Sequence, residues 1–148
     1  MRRGMTDRRT VLVAGLASVL LRPARATPAA LQAAVDRFSA GAVVQDGRVT
    51  LDISPLVENG NAVPVTVSVA SPMTASDHVQ RIALFTERNP QPEVAVFHLS
   101  PANGRAVVGT RMRLATSQTV VALAQLSDGS VWQQRVDVVV TLAACVEG

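Results

Sequence analysis

The chain has 148 residues, a formal net charge of +3 and a sequence pI near 10.9. Its length accommodates one domain behind a short processed segment, and its single cysteine excludes an intramolecular disulfide. The pI suggests a nucleic-acid or membrane-surface protein, but the placement of the charges excludes that reading. All 14 basic residues are arginines, and six of them lie in the first 26 residues beside a single acid, Asp7. From Thr27 onward eight arginines face ten Asp and Glu. With 48% hydrophobic but only 3% aromatic residues, the core has to be built from Val, Leu and Ala.

Residues 1–26 have the layout of an export signal. An Arg-rich start precedes the apolar run Val11–Leu21, which ends at Ala24-Arg25-Ala26, a signal-peptidase pattern that makes Thr27 the mature start. The run is 11 residues long, short of the roughly 20 that span a bilayer as a helix. Arg8-Arg9 stand directly before it, as in twin-arginine (Tat) signals, which carry folded proteins to the periplasm. Once the signal is removed, no membrane association is expected.

Residues 27–47 read as one helix and a linker. Thr27-Pro28 supplies an N-cap and a proline at the first helical position. Leu31, Ala34, Val35 and Phe38 then recur at helical spacing until Gly41. From residue 48 to 142 the period changes to two. Val49, Leu51 and Ile53 alternate with polar residues, as do Val63, Val65, Val67 and Val69. Val108, Thr110, Met112 and Leu114 share a face, and so do Trp132, Val136, Val138, Val140 and Leu142. Apolar runs at Ile82–Phe85, Val94–Leu99 and Val120–Leu126 complete about seven strands. Turn sequences separate them, with Asp128-Gly129 the strongest hairpin signal. The pattern predicts an all-β, immunoglobulin-like sandwich preceded by one short helix.

Motifs of enzyme chemistry are missing. There is no Gly-x-Ser-x-Gly elbow, no phosphate-cradling glycine loop and no paired metal-ligand spacing. No catalytic, cofactor-binding or metal-binding residue is therefore assigned. His98, on the face of Val94 and Val96, reads as a structural histidine, and His78 as an exposed turn residue. Cys145 stands out by position, in a six-residue tail at 143–148 beyond the last strand. Three residues past Leu142 give a reach of roughly 10 Å. In an oxidising compartment such a thiol is used covalently, pairs with a partner as a disulfide, or is incidental.

Several segments together resemble the SoxY family, the sulfur-carrying subunits of the periplasmic thiosulfate-oxidising (Sox) system. They are Val57-Glu58-Asn59-Gly60-Asn61-Ala62-Val63-Pro64-Val65, Ser71-Pro72-Met73-Thr74 and Arg88-Asn89-Pro90-Gln91-Pro92-Glu93-Val94-Ala95. Phe97-His98, Thr110–Ala115 and Ser127–Trp132 follow in the same order. The resemblance implies a carrier rather than an enzyme, without a cofactor, in a heterodimer with a SoxZ-like subunit. It implies that Cys145 is conjugated to thiosulfate by the SoxAX cytochrome, that SoxB removes the terminal sulfone hydrolytically, and that SoxCD can oxidise the remaining sulfane sulfur. The family ends Gly-Gly-Cys-Gly-Gly, whereas this chain reads Ala143-Ala144-Cys145-Val146-Glu147-Gly148. A diverged paralogue with another sulfur substrate, or an immunoglobulin-like module that binds without covalent chemistry, is the alternative reading.

The signal can be tested first. In cells, the exported protein is expected to begin at Thr27 by intact mass, and replacing Arg8 and Arg9 by Lys is expected to abolish export.

Overall fold

The computed structural model describes residues 27–142. Helix α1 spans Pro28–Ser39. At its start the Thr27 hydroxyl accepts the Ala30 N–H at 3.1 Å. At its end Ala40 adopts a left-handed conformation and donates to the Asp36 carbonyl at 3.0 Å. Cap and stop are those the sequence predicts.

Nine strands follow: β1 (Val44–Asp46), β2 (Val49–Asp52), β3 (Leu56–Asn59), β4 (Val63–Val69), β5 (Val79–Thr86), β6 (Glu93–His98), β7 (Val107–Met112), β8 (Gln118–Leu126) and β9 (Val131–Leu142). They form two sheets, one six-stranded in the order β1-β9-β8-β5-β6 with β3 also on β9, and one three-stranded in the order β2-β4-β7. Strand β9 organises the larger sheet. It pairs antiparallel with β8 along one side. Along the other it pairs parallel with β1 at its start and with β3 at its end, where Leu56 meets Val139 and Asn59 meets Leu142.

The principal core lies between the sheets. Val49, Leu51, Val63, Val65, Val67 and Val69 pack from the smaller sheet against Ile82, Leu84, Val120, Ala122 and Ala124 of the larger. Every second residue of β4 is buried, as the alternation predicts. The Gln134 side chain accepts the Leu51 N–H and so ties the edge strand β2 to β9.

Strands β5 and β8 are different, because both of their faces are buried. On the outer face Ala83, Phe85, Val121 and Leu123 pack under Leu31, Ala34, Val35 and Phe38 of α1 in a second core. That is why their sequences are apolar runs rather than alternations. Phe38 meets Phe85 edge to face, with centroids 5.9 Å apart at 78°. The Arg81 guanidinium lies 4.4 Å from the Phe38 ring centre, donates to the Phe38 carbonyl at 3.2 Å and to Gln125 at 2.8 Å. Its charge sits against the negative end of the helix.

Three differences from the sequence reading concern short strands, an edge strand and a turn. Strands β1 and β3 raise the count from about seven to nine. At three and four residues, they exist because β9 offers them its free edge. His98 is exposed at the end of the edge strand β6 rather than packed as a structural histidine. His78 is half-buried, with Nδ1 3.1 Å from the Thr74 carbonyl.

Phe38→Ala removes the largest side chain that α1 contributes to the second core. It is expected to cost about 3 kcal/mol, read as a lower denaturant midpoint, with a smaller loss for Leu31→Ala.

Candidate functional site

The region of interest is the end of β9. There the Asn59 side chain accepts the Asn61 N–H at 2.9 Å, closing a turn after β3. Gly60 lies inside that turn and donates its N–H to the Leu142 carbonyl at 3.0 Å. Its own carbonyl accepts the Leu114 N–H at 2.8 Å. The Thr141 hydroxyl is 3.3 Å from the Glu58 carbonyl, and Ser117 accepts the Val140 N–H at 2.9 Å. The last three residues of β9 are thus held by β3, by the turn after it and by the segment before β8.

Asn89 and Gln118 lock these loops to one another. The buried Gln118 side-chain oxygen accepts the N–H groups of Arg88 at 2.8 Å and of Asn89 at 3.2 Å. Its amide nitrogen donates to Asn89 Oδ1 at 2.9 Å and to the Thr116 carbonyl at 3.0 Å. Asn89 in turn accepts the Ala115 N–H at 3.0 Å and donates to the Arg113 carbonyl at 2.7 Å. Both amides use oxygen and nitrogen in this network, so the loop 88–90 and the segment 113–118 behave as one body. Arg113 reaches Asn61 Oδ1 at 3.5 Å. Arg88 is largely exposed and lies 3.9 Å from Glu87.

Beside this junction a cavity of about 360 Å³ opens between the segment that follows β2 and the β3–β4 connection. Asn59, Leu56 and Val57 line it from β3, and Val63 and Val65 from β4. Leu56 and its register partner Val139 are 59% and 53% exposed, an apolar pair on the surface next to where β9 ends.

Three of the segments singled out in the sequence therefore meet here: Val57–Val65, Arg88–Pro90 and Thr110–Ala115. Of the other three, Phe97-His98 ends the edge strand β6, and Ser71–Thr74 and Ser127–Trp132 lie together at the opposite end of the sandwich. There the Ser127 hydroxyl accepts the His78 N–H at 3.1 Å, and the buried Met73 sulfur accepts the Val79 N–H at 3.4 Å. Cys145, the tail 143–148 and the signal 1–26 lie outside the described residues. Among the described residues no group of three or more His, Asp or Glu is placed to hold a metal ion. Sequence reasoning passed over Gln118. Its one visible signal is an amide two residues ahead of the apolar run that starts at Val120.

Known proteins place this architecture. The sequence matches the family described as sulfur oxidation protein SoxY over residues 35–145. Among solved structures, the sulfur carrier protein SoxY from Chlorobium limicola f thiosulfatophilum is similar with a TM-score of 0.65 and 28% identity, covering 77% of this chain and 98% of that one. A superoxide reductase (neelaredoxin) from Ignicoccus hospitalis has a TM-score of 0.57 at 18% identity, covering 64% of this chain and 80% of its own. The superoxide reductase from Nanoarchaeum equitans has 0.56 at 12% identity, over 65% of this chain and 100% of its own. The likeness to the two reductases is one of fold alone. No curated protein matches the sequence.

The amide junction has a measurable consequence. Gln118→Ala leaves two backbone N–H groups and the Asn89 side chain without their partner, and is expected to destabilise by about 2–3 kcal/mol. Hydrogen exchange should accelerate first at Arg88, Asn89 and Ala115.

Proposed function

The chain belongs to the SoxY family of sulfur oxidation proteins, and on that footing we propose that it is a periplasmic sulfur carrier holding thiosulfate-derived groups covalently on Cys145. The observation that carries this reading is positional. The family match runs to residue 145, and the family's turn segments converge on the end of β9, three residues before that cysteine. A thiol tethered there is within roughly 10 Å of a rigid platform, close enough to be presented and far enough to enter a partner's site.

The chemistry needs no catalytic group on this chain. In the loading step the Cys145 thiolate and the sulfane sulfur of thiosulfate form a new S–S bond and lose two electrons. The oxidant is a c-type cytochrome of the SoxAX kind. In the second step water attacks the terminal sulfone sulfur, the S–S bond to it breaks, and sulfate leaves with two protons released. A persulfide stays on Cys145. The hydrolase of the SoxB kind and the SoxCD oxidase act on these groups in turn, while the carrier supplies attachment and delivery. This makes it a carrier and not an enzyme.

Two features of the chain bear on how it does this. The tail lacks the family's glycines. Val146, which is β-branched, and Glu147, which is acidic, stand where the family has glycines. The exposed pair Leu56 and Val139 supplies apolar surface of the kind a SoxZ-like subunit would cover. A twin-arginine signal would export the two subunits together, already folded.

Intact mass spectrometry tests the reading. Exposed to thiosulfate and the oxidising cytochrome, the mature protein is expected to gain an adduct that a thiol reductant removes. Cys145→Ser is expected to gain none while still binding its partner subunit. An identical adduct on Cys145→Ser would refute covalent carriage at this site. A function that survives the substitution would favour a non-covalent binding module.

A further inference from the structure

The outer face of the three-stranded sheet holds a second cavity, a groove of about 400 Å³ that carriage on Cys145 does not use. It is built from two cross-strand rows. In the first, Thr50 of β2, Ser68 of β4 and Val107 of β7 are successive register partners. Pairing continues beyond the strands: the Ala70 N–H donates to the Arg48 carbonyl at 2.8 Å, and the Val69 N–H to the Ala106 carbonyl at 2.9 Å. Side chains alternate along strands. Arg48, Ala70 and Arg105 are the backbone neighbours two residues further along, and all three line the groove. Two arginines thus flank a methyl group, with two hydroxyls in the row behind them. Neighbouring strands lie about 4.8 Å apart, so the arginine backbones stand about 10 Å from one another.

The charges around the groove are one-sided. Its lining contains two arginines and no carboxylate, although the chain from Thr27 onward is mildly acidic. Asp52 stands on the same sheet face but lines the other cavity. Asp128 lies on the far side of Arg48. Its carboxyl is held below the usual range first by the Ser130 hydroxyl and N–H, and less by Arg48. Arg48 is also fixed in place. It occupies a left-handed conformation (φ 56°) after Gly47 (φ 111°), and its guanidinium lies 5.3 Å from the Trp132 ring centre. Two arginines and two hydroxyl residues lining one groove, with no carboxylate among the lining, match the donors that bind tetrahedral oxyanions.

We propose that this groove binds a small tetrahedral oxyanion between Arg48 and Arg105, with Thr50 and Ser68 as hydroxyl donors. It lies at the start of β7, whereas the Leu114 junction with β9 lies past the other end of that strand, roughly 23 Å away for seven residues at ~3.3 Å each. The groove is therefore separate from the end of β9.

The test is an amide NMR titration of the full chain with sodium sulfate, then phosphate and thiosulfate, at constant ionic strength set with sodium chloride. Saturable shifts are expected at Arg48, Thr50, Ser68, Gly104 and Arg105 with each oxyanion, and none with chloride. Arg105→Gln, in an exposed loop, is expected to weaken binding about tenfold, as the loss of one charge-assisted hydrogen bond does. Arg48→Asn, chosen because Asn tolerates the left-handed backbone, is expected to do the same. Cys145→Ser and Arg113→Gln are expected to leave the titration unchanged, so its outcome is independent of sulfur carriage. Non-saturable shifts that follow ionic strength alone would overturn the proposal. So would saturable shifts that persist in both groove variants.

Discussion

Burial of β5 and β8 on both faces is the constraint on which the rest of this structure depends. Their inner faces meet the three-stranded sheet, and their outer faces meet α1. A protein with so few aromatic residues has little apolar volume per side chain to bury. Stacking helix, sheet and sheet lets the same two strands serve two cores, at about 25 cal/mol per Å² of apolar surface removed from water. Phe38 and Phe85, two of the three phenylalanines, meet where those layers touch. Arg81 completes the joint by binding the Phe38 carbonyl near the end of the helix and the ring of the same residue.

With β8 fixed in this way, β9 is fixed beside it, and its free edge becomes a template. Two short strands add to that edge in parallel, β1 at the start and β3 at the end. The second addition brings the turn at Asn59-Gly60-Asn61 to the end of β9, where the Gly60 peptide bridges Leu142 and Leu114. The Asn89 and Gln118 amides then secure the neighbouring loops. The result is a strand end held on both sides by hydrogen bonds from β3, its following turn and the segment before β8.

Much of the fold was legible from periodicity. Helix α1, its Thr27 cap, and the buried faces of β2, β4 and β7 follow from spacings of 3.6 and 2, because each has one solvent face and one core face. The apolar runs of β5 and β8 could be read as strands but not placed. A run buried on both sides carries no mark of which neighbour covers which side. Strands β1 and β3 were not legible, since three or four residues hold too little pattern to distinguish them from loop. The candidate site divides in the same way. Cys145 stands out by its place in the chain. The segments at 57–65, 88–95 and 110–115 stand out by resemblance, though nothing in their order says that they meet. Gln118 gives almost no signal, because three of its four hydrogen bonds reach Arg88 and Asn89, far away in sequence.

By itself, the sequence determined a short helix before a Val-rich sandwich, a net positive charge confined to the first 26 residues, and one cysteine at position 145. Local periodicity, charge placement and composition are properties of neighbours in the chain, so they need no fold to be read. Only the tertiary structure decided which loops share the end of β9 and that Arg48 and Arg105 face one groove across Ala70. Those arrangements depend on strand register and sheet order, which join residues far apart in sequence and which no local pattern encodes.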